Sequence, residues 1–288
     1  MESVLTCNIC HGGSIQTIDP SYNFCRCDAC GFVFDSPRPT AEEIASFYSQ
    51  ASKYDSWIRE GSARDALWQR RIKKLIPQFV AGTLLDIGTG VGQFLHHARH
   101  LFSTVQGTEV SESGVRIARE KYSLDVRLGQ VEELNLPSSS FDNITLFHVL
   151  EHVPDPSGTL DECRRLMQPN GMLAIAVPND VLAWTSILKR FGSRIGFKSF
   201  RKFSPRLGIS KAGLSSEIHL SHFTPAVLRQ LLQNRGFRIV EESIDPYYCS
   251  SGARLLLDHA YYYLHLVLFA CFRINRYETI WMISRKSS

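Results

Sequence analysis

Three glycines at alternate positions follow an acidic residue in the segment Leu84-Leu85-Asp86-Ile87-Gly88-Thr89-Gly90-Val91-Gly92. Glycine tolerates positive φ and lets a ligand approach the backbone, because no Cβ intrudes. The apolar residues before Asp86 predict a buried strand, and the next three residues, 93–95, can begin a helix. A strand that leads through such a loop into a helix N-terminus is how doubly wound α/β folds bind nucleotides. We therefore predict a cofactor with a nucleoside part at this loop.

The type of cofactor follows from the spacing and from two acids. A dinucleotide fingerprint, G-x-G-x-x-G, would need glycine where Gln93 stands. Asp86, at the end of the strand, suits the ammonium group of an amino-acid moiety better than a pyrophosphate. A second short strand over 105–109 ends at Glu109, 21 residues after Gly88. An acid there can accept hydrogen bonds from both ribose hydroxyls, although Glu109 also suits the N-terminus of the predicted helix 111–122.

These features together resemble motif I of the class I S-adenosylmethionine (SAM) dependent methyltransferases. Segments 126–134, 140–156 and 166–179 resemble the family's third strand, its fourth strand with the following turn, and its helix–Pro–x–Gly–strand unit. The resemblance covers residues 40–180 closely and 219–285 loosely. It implies an α/β fold with a Rossmann-like, seven-stranded sheet, helices on both faces and an antiparallel last strand. It also implies a SAM site formed by Asp86, Gly88, Gly90, Gly92, Glu109, Gln130, Val131 and His148.

Four cysteines near the N-terminus form two C-x-x-C pairs, Cys7 with Cys10 and Cys27 with Cys30, with 16 residues between the pairs. This is the spacing of a four-cysteine zinc ribbon, and metal would stabilise a unit too small to fold on its own core. A haem-attachment pattern, C-x-x-C-H, and a redox dithiol remain alternatives, and Cys25 could replace Cys27 as a ligand. We expect Cys163, Cys249 and Cys271 to be buried thiols.

The predicted domain organisation has three parts. Residues 1–39 form the zinc ribbon, 40–80 a helical lid, and 81–288 the SAM-binding domain. A capping box of Thr40 and Glu43 predicts the start of the lid. Tyr54 and Trp57 are candidates to touch the methionine end of the cofactor, although they could equally pack the lid.

Three residues just past the fourth strand, His148, Glu151 and His152, lie where the resemblance places the transferred methyl group. On a short helix their i, i+3, i+4 spacing would put them on one side. The segment resembles the quinone-biosynthesis O-methyltransferases, in which acidic residues and a histidine can hold a divalent cation. His148 stands where that pattern has a carboxylate, which leaves the metal open and predicts His148 as a general base. Alternatively, Glu151 and His152 only anchor the loop before Pro154.

A histidine-rich turn precedes a helix predicted over 225–235, with Thr224 as the cap and Pro225 as the first residue. The resemblance implies that this turn faces the acceptor. His219 and His222 therefore join His148 and His152 as candidate catalytic residues. In the alternative interpretation, His222 ties the turn to the core.

Two segments suggest contact with a membrane. Residues 181–216 contain eight basic residues interleaved with aromatic and aliphatic ones, and no acid. Such a pattern favours an anionic membrane surface or a phosphate-bearing acceptor, and a solvated face is the alternative. An apolar helix near 253–274 includes a run of thirteen residues, Ala260–Phe272, which is too short to cross a bilayer. It could be buried, form a homodimer, or dip into the interface.

The remaining composition indicates a soluble cytoplasmic protein, peripheral to a membrane if the two segments dock. Glu2 and the lack of an apolar N-terminal run argue against a secretory signal. We expect methyl transfer from SAM to oxygen, with carbon or nitrogen as alternatives, on a small-molecule, glycan or lipid-linked acceptor. The segment 147–150 lacks the Asn/Asp-Pro-Pro-Tyr/Phe motif typical of enzymes that methylate exocyclic base nitrogens. An RNA-directed enzyme and a non-catalytic SAM- and zinc-binding module remain alternatives.

Overall fold

The structure is a computed structural model that describes residues 1–19, 23–48, 61–194 and 218–287. In chain order the strands are β1 Ile15–Asp19, β2 Phe24–Cys27, β3 Val33–Asp35, β4 Thr83–Ile87, β5 Thr104–Glu109, β6 Val126–Leu128, β7 Phe141–Phe147, β8 Met167–Pro178, β9 Ser221–His222, β10 Phe237–Ser243 and β11 Thr279–Lys286. The α-helices are α1 Ala41–Tyr48, α2 Gly61–Leu75, α3 Gln93–Ala98, α4 Glu112–Tyr122, α5 Pro156–Leu166, α6 Trp184–Arg194, α7 Pro225–Asn234 and α8 Gly252–Phe272.

The main sheet has seven strands in the order β10-β11-β8-β7-β4-β5-β6. Strands β8, β7, β4, β5 and β6 are parallel, and β11 runs antiparallel to both of its neighbours. The predicted Rossmann-like sheet with an antiparallel last strand is therefore confirmed. Because parallel strands share one carboxyl edge, the loops after β4, β5 and β7 meet on the same side of the sheet.

Helices cover both faces of this sheet, and side-chain alternation along β8 shows why. Leu173, Ile175 and Val177 join a core cluster with residues of α5 and α7. Their neighbours Met172, Ala174 and Ala176 join a second cluster with residues of α2, α3 and α4. Successive residues of a strand point to opposite faces, so a strand covered on both sides is apolar throughout.

A second, smaller sheet has the strand order β1-β2-β3-β9. Its first three strands belong to the cysteine-bearing segment, but β9 comes from the second half of the chain. The register pairs Val33 with His222 and Phe34 with Ser221. The N-terminal segment is thus joined to the main body by backbone pairing.

The start of α1 is capped as the sequence predicts. The backbone N–H of Thr40 donates to Glu43 Oε2 at 2.9 Å, and the N–H of Glu43 donates to Thr40 Oγ1 at 3.3 Å. Tyr54, Trp57 and most of the basic insertion lie outside the described residues. The predictions made for them stay predictions.

Helix α8 lies close to the predicted range 253–274, but it is longer than the thirteen-residue apolar run within it. It begins at Gly252 and has 21 residues, because the apolar residues before Asp258 extend the run and neither Asp258 nor His259 interrupts the helix. By length and composition it could cross a membrane, the one such helix in the described part of the chain. Only Tyr262, His265 and Phe269 are buried, which does not fit burial, one of the three alternatives left open for this helix. Cys271, near its end, is exposed, and Cys249 is half-buried; of the three predicted buried thiols only Cys163 is buried.

Candidate active site

A cavity opens at the carboxyl edge of the main sheet, over the ends of β4, β5 and β7. Its wall includes Gly88 and Gly90 of the glycine loop, with Glu109, Gln130 and Val131. It also includes His148, His152 and several aromatic side chains. The sheet topology therefore brings together most of the residues that the sequence predicted from separate segments.

The glycine loop is shaped by its neighbours. Gly88 and Gly90 have φ of 67° and 57°, and both line the cavity. A Cβ on Gly88 would overlap the side chain of Val149, so this position must stay glycine. Gly92 has φ of 82° and precedes α3, and its Cβ would lie 2.7 Å from Leu124. The structure thus places Gly92 in the packing of α3 and α4, away from the cavity wall.

Glu109 is held at the end of β5 by two backbone groups. Its Oε2 accepts from the N–H of Gly90 at 2.8 Å, and its Oε1 accepts from the N–H of Ser111 at 2.9 Å. The side chain is 5% exposed and lines the cavity. These contacts lock the carboxylate in one orientation, next to the glycine loop.

Asp86 lies beneath the glycine loop and does not appear in the cavity wall. The Thr145 hydroxyl donates to its Oδ1 at 2.6 Å. Burial raises the pKa of Asp86 from 3.8 to about 7, against the opposing effect of the Thr145 hydrogen bond. A cationic group brought close to this carboxylate would favour its ionised form.

His148 lies on a turn and not on the predicted short helix. Its φ is 57°, and its N–H donates to the carbonyl of Ala176 at 2.8 Å, which extends the pairing of β7 with β8 by one residue. Pro154 and Pro156 follow closely, and proline disfavours helical conformation in the preceding residue. The turn still gathers the three predicted side chains, since Glu151 lies beside both His148 and His152.

The His148 ring lies between two carboxylates. Its Nδ1 is 3.3 Å from Glu151 Oε1, and its Nε2 is 3.8 Å from Asp245 Oδ2. Burial alone would lower the pKa of His148, but Asp245 and Glu151 outweigh it and the pKa is raised. Asp245 is itself paired with Arg71, and both side chains are fully buried. That pairing holds the pKa of Asp245 well below its usual range, so a carboxylate stays beside His148.

Glu151 is fully buried, and His148 and His152 hold its pKa below the usual value despite the burial. Its Oε1 is 3.7 Å from His152 Nε2. The Nδ1 of His152 lies 2.5 Å from the carbonyl of Ile218 and 3.0 Å from the Tyr48 hydroxyl. The carbonyl can only accept, so Nδ1 carries the proton and the His152 Nε2 faces Glu151.

The histidine-rich turn is organised around Asp180. Its Oδ2 lies 2.9 Å from His219 Nδ1 and 3.2 Å from His222 Nδ1. The His222 ring is 1% exposed and its Nε2 contacts Asp35 of β3 at 3.1 Å. The structure corrects the prediction for His222: the ring is enclosed between two carboxylates, away from the cavity wall. His219 is more accessible, and its ring centroid is 5.0 Å from that of His152.

Among the residues that the structure describes, three groups of side chains could hold a metal ion. The sulfur atoms of Cys7, Cys10, Cys27 and Cys30 all lie within 4.8 Å of one another. Two further groups are Glu151 with His152 and His219, and Asp180 with His219 and His222. Cys25 is directed elsewhere, toward Thr17 Oγ1 at 3.7 Å and the carbonyl of Ser36 at 3.8 Å.

The cysteine geometry fits a tetrahedral ion. The Sγ atoms of Cys7 and Cys30 are 3.6 Å apart, and those of Cys10 and Cys27 are 3.5 Å apart. Four sulfurs placed about 2.3 Å from a zinc ion would be separated by roughly 3.8 Å. In a disulfide the two sulfur atoms lie only about 2.05 Å apart. The four thiols are therefore spaced for a shared ion.

The cysteine-bearing segment contacts the turn that carries His148. The side-chain amide of Asn8 and the guanidinium of Arg38 both donate to the carbonyl of Pro154, at 2.5 Å and 3.1 Å. The Ser157 hydroxyl donates to the carbonyl of Asn8 at 2.9 Å. The segment thus supports one wall of the cavity.

A family model described as a methyltransferase domain matches residues 61–242. The chain belongs to this family. It is similar to a probable S-adenosylmethionine-dependent methyltransferase of Mycolicibacterium smegmatis, with 26% identity over 204 residues, which cover 69% of this chain and 70% of that protein. It is also similar to a ubiquinone biosynthesis O-methyltransferase of Rhodopseudomonas palustris, with 28% identity over 65% of this chain and 70% of that protein.

Among solved structures, a SAM-dependent methyltransferase of Thermotoga maritima, described as a possible histamine N-methyltransferase, shares the fold. The superposition covers 82% of this chain and 98% of the Thermotoga maritima chain, with a TM-score of 0.52 and 17% identity. At this identity the likeness concerns the fold alone. The family match makes this protein a SAM-dependent methyltransferase, and the alternative of a non-catalytic module is set aside.

The cavity of the methyltransferase fits SAM. The loop at Gly88 and Gly90 leaves room for the nucleoside, and the fixed carboxylate of Glu109 can accept from the ribose hydroxyls. Arg71 has a fully buried Nη1 that donates to no group in the described residues, and its side chain lines the same cavity. A buried donor of this kind suits a carboxylate such as that of the methionine part.

Several residues of the site were missed by the sequence predictions. Arg71 is one of five basic residues within α2, and no signal distinguished it from the others. Asp245 and Tyr247 follow β10, in a segment without a recognisable motif. Asp180 could have been found, because a polar residue just after a buried parallel strand lies at the carboxyl edge of the sheet.

Proposed function

We propose that this methyltransferase transfers the SAM methyl group to a hydroxyl oxygen of a small acceptor, with His148 as the general base. The observation that carries the proposal is the His148 ring, which lines the cavity between the carboxylates of Glu151 and Asp245. The name of the R. palustris relative, an O-methyltransferase, supports oxygen as the methylated atom. Nitrogen and carbon acceptors need no such base when their nucleophile is already neutral and electron-rich.

The chemistry divides between cofactor and protein. SAM supplies a methyl group on a sulfonium, which is already activated for transfer. The protein aligns the acceptor and removes the proton from its hydroxyl. His148 takes that proton, and the two flanking carboxylates stabilise the imidazolium that forms. Glu151 and Asp245 act through His148 and are positioning residues.

The aromatic side chains of the cavity wall favour an amphiphilic acceptor with a flat ring. Tyr48, Trp68, Phe147 and Tyr247 contribute aromatic surface, and His148 and His152 contribute the polar groups. Aromatic walls with a few placed polar groups are typical of small-molecule sites. A phenolic or similar ring-borne hydroxyl is the class that this combination suits best.

We also propose that Cys7, Cys10, Cys27 and Cys30 bind one structural zinc ion. Spacing in the sequence and sulfur distances in the structure both support it. The contacts of Asn8 and Arg38 with Pro154 give the ion a role in the site, because they support the turn of His148.

The test is release of S-adenosylhomocysteine with a panel of acceptors that carry phenolic, saccharide or RNA hydroxyls. Phenolic acceptors should be methylated on oxygen, as mass spectrometry of the product would show. His148→Gln should lower kcat by about a hundredfold or more, with unchanged affinity for S-adenosylhomocysteine in calorimetry. Methylation on nitrogen or carbon, or full activity in this variant, would contradict the proposal.

A further inference from the structure

The outward face of α8 exposes several large apolar side chains. Leu256, Leu257, Tyr263, Leu264 and Val267 are each between 57% and 72% exposed. Leu256 and Leu257 lie seven residues before Tyr263 and Leu264, and Val267 lies three residues after Leu264, so the five side chains form one stripe along the helix. No acidic residue lies on this stripe. We refer to these five residues, together with Phe272 at the end of α8, as the apolar stripe.

The outward face of α8 is as apolar as its inner face, where Leu255 and Leu266 pack against Tyr262 and its neighbours. The inner face also carries the polar-tipped side chains Tyr262 and His265 together with Phe269. Tyr262 packs against Tyr248 and Tyr277, and Tyr261 donates to Glu278 at 3.0 Å. The inner face is thus fixed to the protein by specific contacts, and the apolar stripe is directed away from it. Soluble proteins bury the more apolar face of a surface helix.

Although α8 is long enough to cross a bilayer, its connections exclude a crossing. The helix joins β10 to β11, and these strands pair along their whole length, from Phe237 with Lys286 to Ser243 with Trp281. Both ends of α8 therefore return to the same edge of one sheet. A helix tethered in this way can lie in the membrane surface but cannot place its ends on opposite sides.

A second helix, which like α8 contacts Glu278, also exposes apolar side chains. Trp184, Leu188 and Phe191 of α6 are 48%, 59% and 63% exposed, at i, i+4 and i+7. Thr185 of α6 and Tyr261 of α8 both donate to Glu278 Oε1, which holds the two helices side by side. Tryptophan and tyrosine beside aliphatic residues are typical of protein surfaces that enter the headgroup region.

The charges beside the stripe distinguish a lipid surface from a second copy of the chain. The basic residues are Lys189, Arg190 and Arg194 on α6, Arg254 on α8, and Arg273 and Arg276 directly after α8. The acidic Asp258 pairs with Arg254 at 3.9 Å, and Glu278 is turned inward to Thr185 and Tyr261. A symmetric pair of such faces would bring like charges together, whereas anionic headgroups complement them.

We propose that the methyltransferase docks on anionic lipid membranes through the apolar stripe, with α8 lying in the plane of the interface. The docking surface is independent of which atom the enzyme methylates. Tyr247, which lines the cavity, lies four residues before Ser251, the N-cap of α8. Docking therefore holds the cavity close to the lipid surface.

Co-sedimentation of the full chain with lipid vesicles tests the proposal. The protein should bind vesicles of phosphatidylcholine mixed with anionic phosphatidylglycerol, more weakly at high salt and more weakly to phosphatidylcholine alone. The triple variant Leu256→Glu, Leu264→Glu, Val267→Glu should lower the partition coefficient by about a hundredfold or more, since three side chains leave the hydrocarbon.

A matched control is Ile76→Glu, Val80→Glu, Leu101→Glu, which also replaces three exposed apolar residues and adds the same charge. It should bind vesicles like the wild type, and both variants should retain affinity for S-adenosylhomocysteine as proof of folding. Wild-type protein that stays in the supernatant with both kinds of vesicle would overturn the proposal. So would equal loss in the two variants, or a dimer seen by light scattering that the stripe variant abolishes without any lipid binding.

Discussion

Asp35 and His222 meet at 3.1 Å between Oδ1 and Nε2, although 187 residues separate them in the chain. Both side chains are 1% exposed. His222 also contacts Asp180, so one imidazole joins the cysteine-bearing sheet to the edge of the main sheet. Burial raises the pKa of Asp35, whereas the two carboxylates outweigh burial and raise the pKa of His222. His222 therefore bridges two carboxylates and ties two parts of the molecule.

Replacing Asp35 should weaken this tie. Asp35→Asn leaves His222 with one carboxylate, and we expect a loss of about 2 kcal/mol in the free energy of unfolding. Denaturation in urea measures it. Asp28→Asn, in the same segment but exposed, should change stability by less than about 0.5 kcal/mol. Equal effects of the two substitutions would show that the contact of Asp35 with His222 does not stabilise the fold in particular.

The zinc proposal predicts one metal ion per chain. Elemental analysis of purified protein should give this ratio, and Cys27→Ser should lose the ion, because three thiolates bind zinc less tightly than four. The same variant should lower the melting temperature and the turnover, since the turn at Pro154 loses its support. Cys25→Ser is the control, because its sulfur is directed away from the other four. Loss of zinc in this control would show that Cys25 is one of the zinc ligands.

Glu109 should be required for cofactor binding. Glu109→Gln keeps the size of the side chain but removes its charge, and we expect affinity for S-adenosylhomocysteine to fall by about tenfold or more. Calorimetry measures the change. Glu112→Gln, an exposed acid on α4, should leave the affinity unaltered. Unchanged binding in the Glu109 variant would show that the ribose is held elsewhere.

The raised pKa of His148 predicts the pH dependence of the reaction. A general base must be neutral, so kcat should rise with pH through a midpoint above 6.5. Glu151→Gln removes one of the flanking charges and should shift the midpoint to lower pH while lowering kcat. The exposed Glu133→Gln should leave the midpoint in place. A structural role for Glu151 alone would reduce the rate without moving the profile.

The cofactor-free protein should lose stability as pH rises because of Asp86. The unfolded chain releases this proton near 3.8, but the folded protein keeps it to about 7. Between these values the folded state binds more protons, so the contribution of Asp86 to stability falls by about 1.4 kcal/mol per pH unit. The free energy of unfolding of Asp86→Asn, relative to that of the wild type, should therefore increase as pH rises from about 4 to about 7. Asp125→Asn, at an exposed position, should show no such increase. If the melting temperatures of Asp86→Asn and of the wild type changed with pH in parallel, the assignment would be contradicted.

The parts of the fold that could be predicted are those encoded locally. The apolar strand before Asp86, the glycines after it and the capping box at Thr40 each specify their structure within a few residues. Gln130 and Val131 fall in the cavity because the parallel strands share one edge, which the order of the strands already implies. For the same reason, the sequence predicts that Glu109 and His148 lie near the glycine loop.

Long-range pairings could not be predicted in this way. Arg71 and Asp245 are separated by 174 residues, and nothing in either segment indicates that they meet beside His148. Gly92 matches a cofactor motif, but its role in packing depends on Leu124 in another element. The apolar run in α8 is evident from the sequence. Which face of the helix is directed outward is not, because that depends on contacts with Tyr248 and Tyr277, which lie outside the helix.

The pairing of β3 with β9 also has a consequence for synthesis on the ribosome. The four cysteines emerge among the first thirty residues, but the strand that completes their sheet is made almost two hundred residues later. Until then the edge of β3 has no partner, and the nascent segment must wait for the C-terminal half. A truncated chain that ends before Ser221 would carry its metal ligands on an open sheet, exposed to unwanted strand pairing.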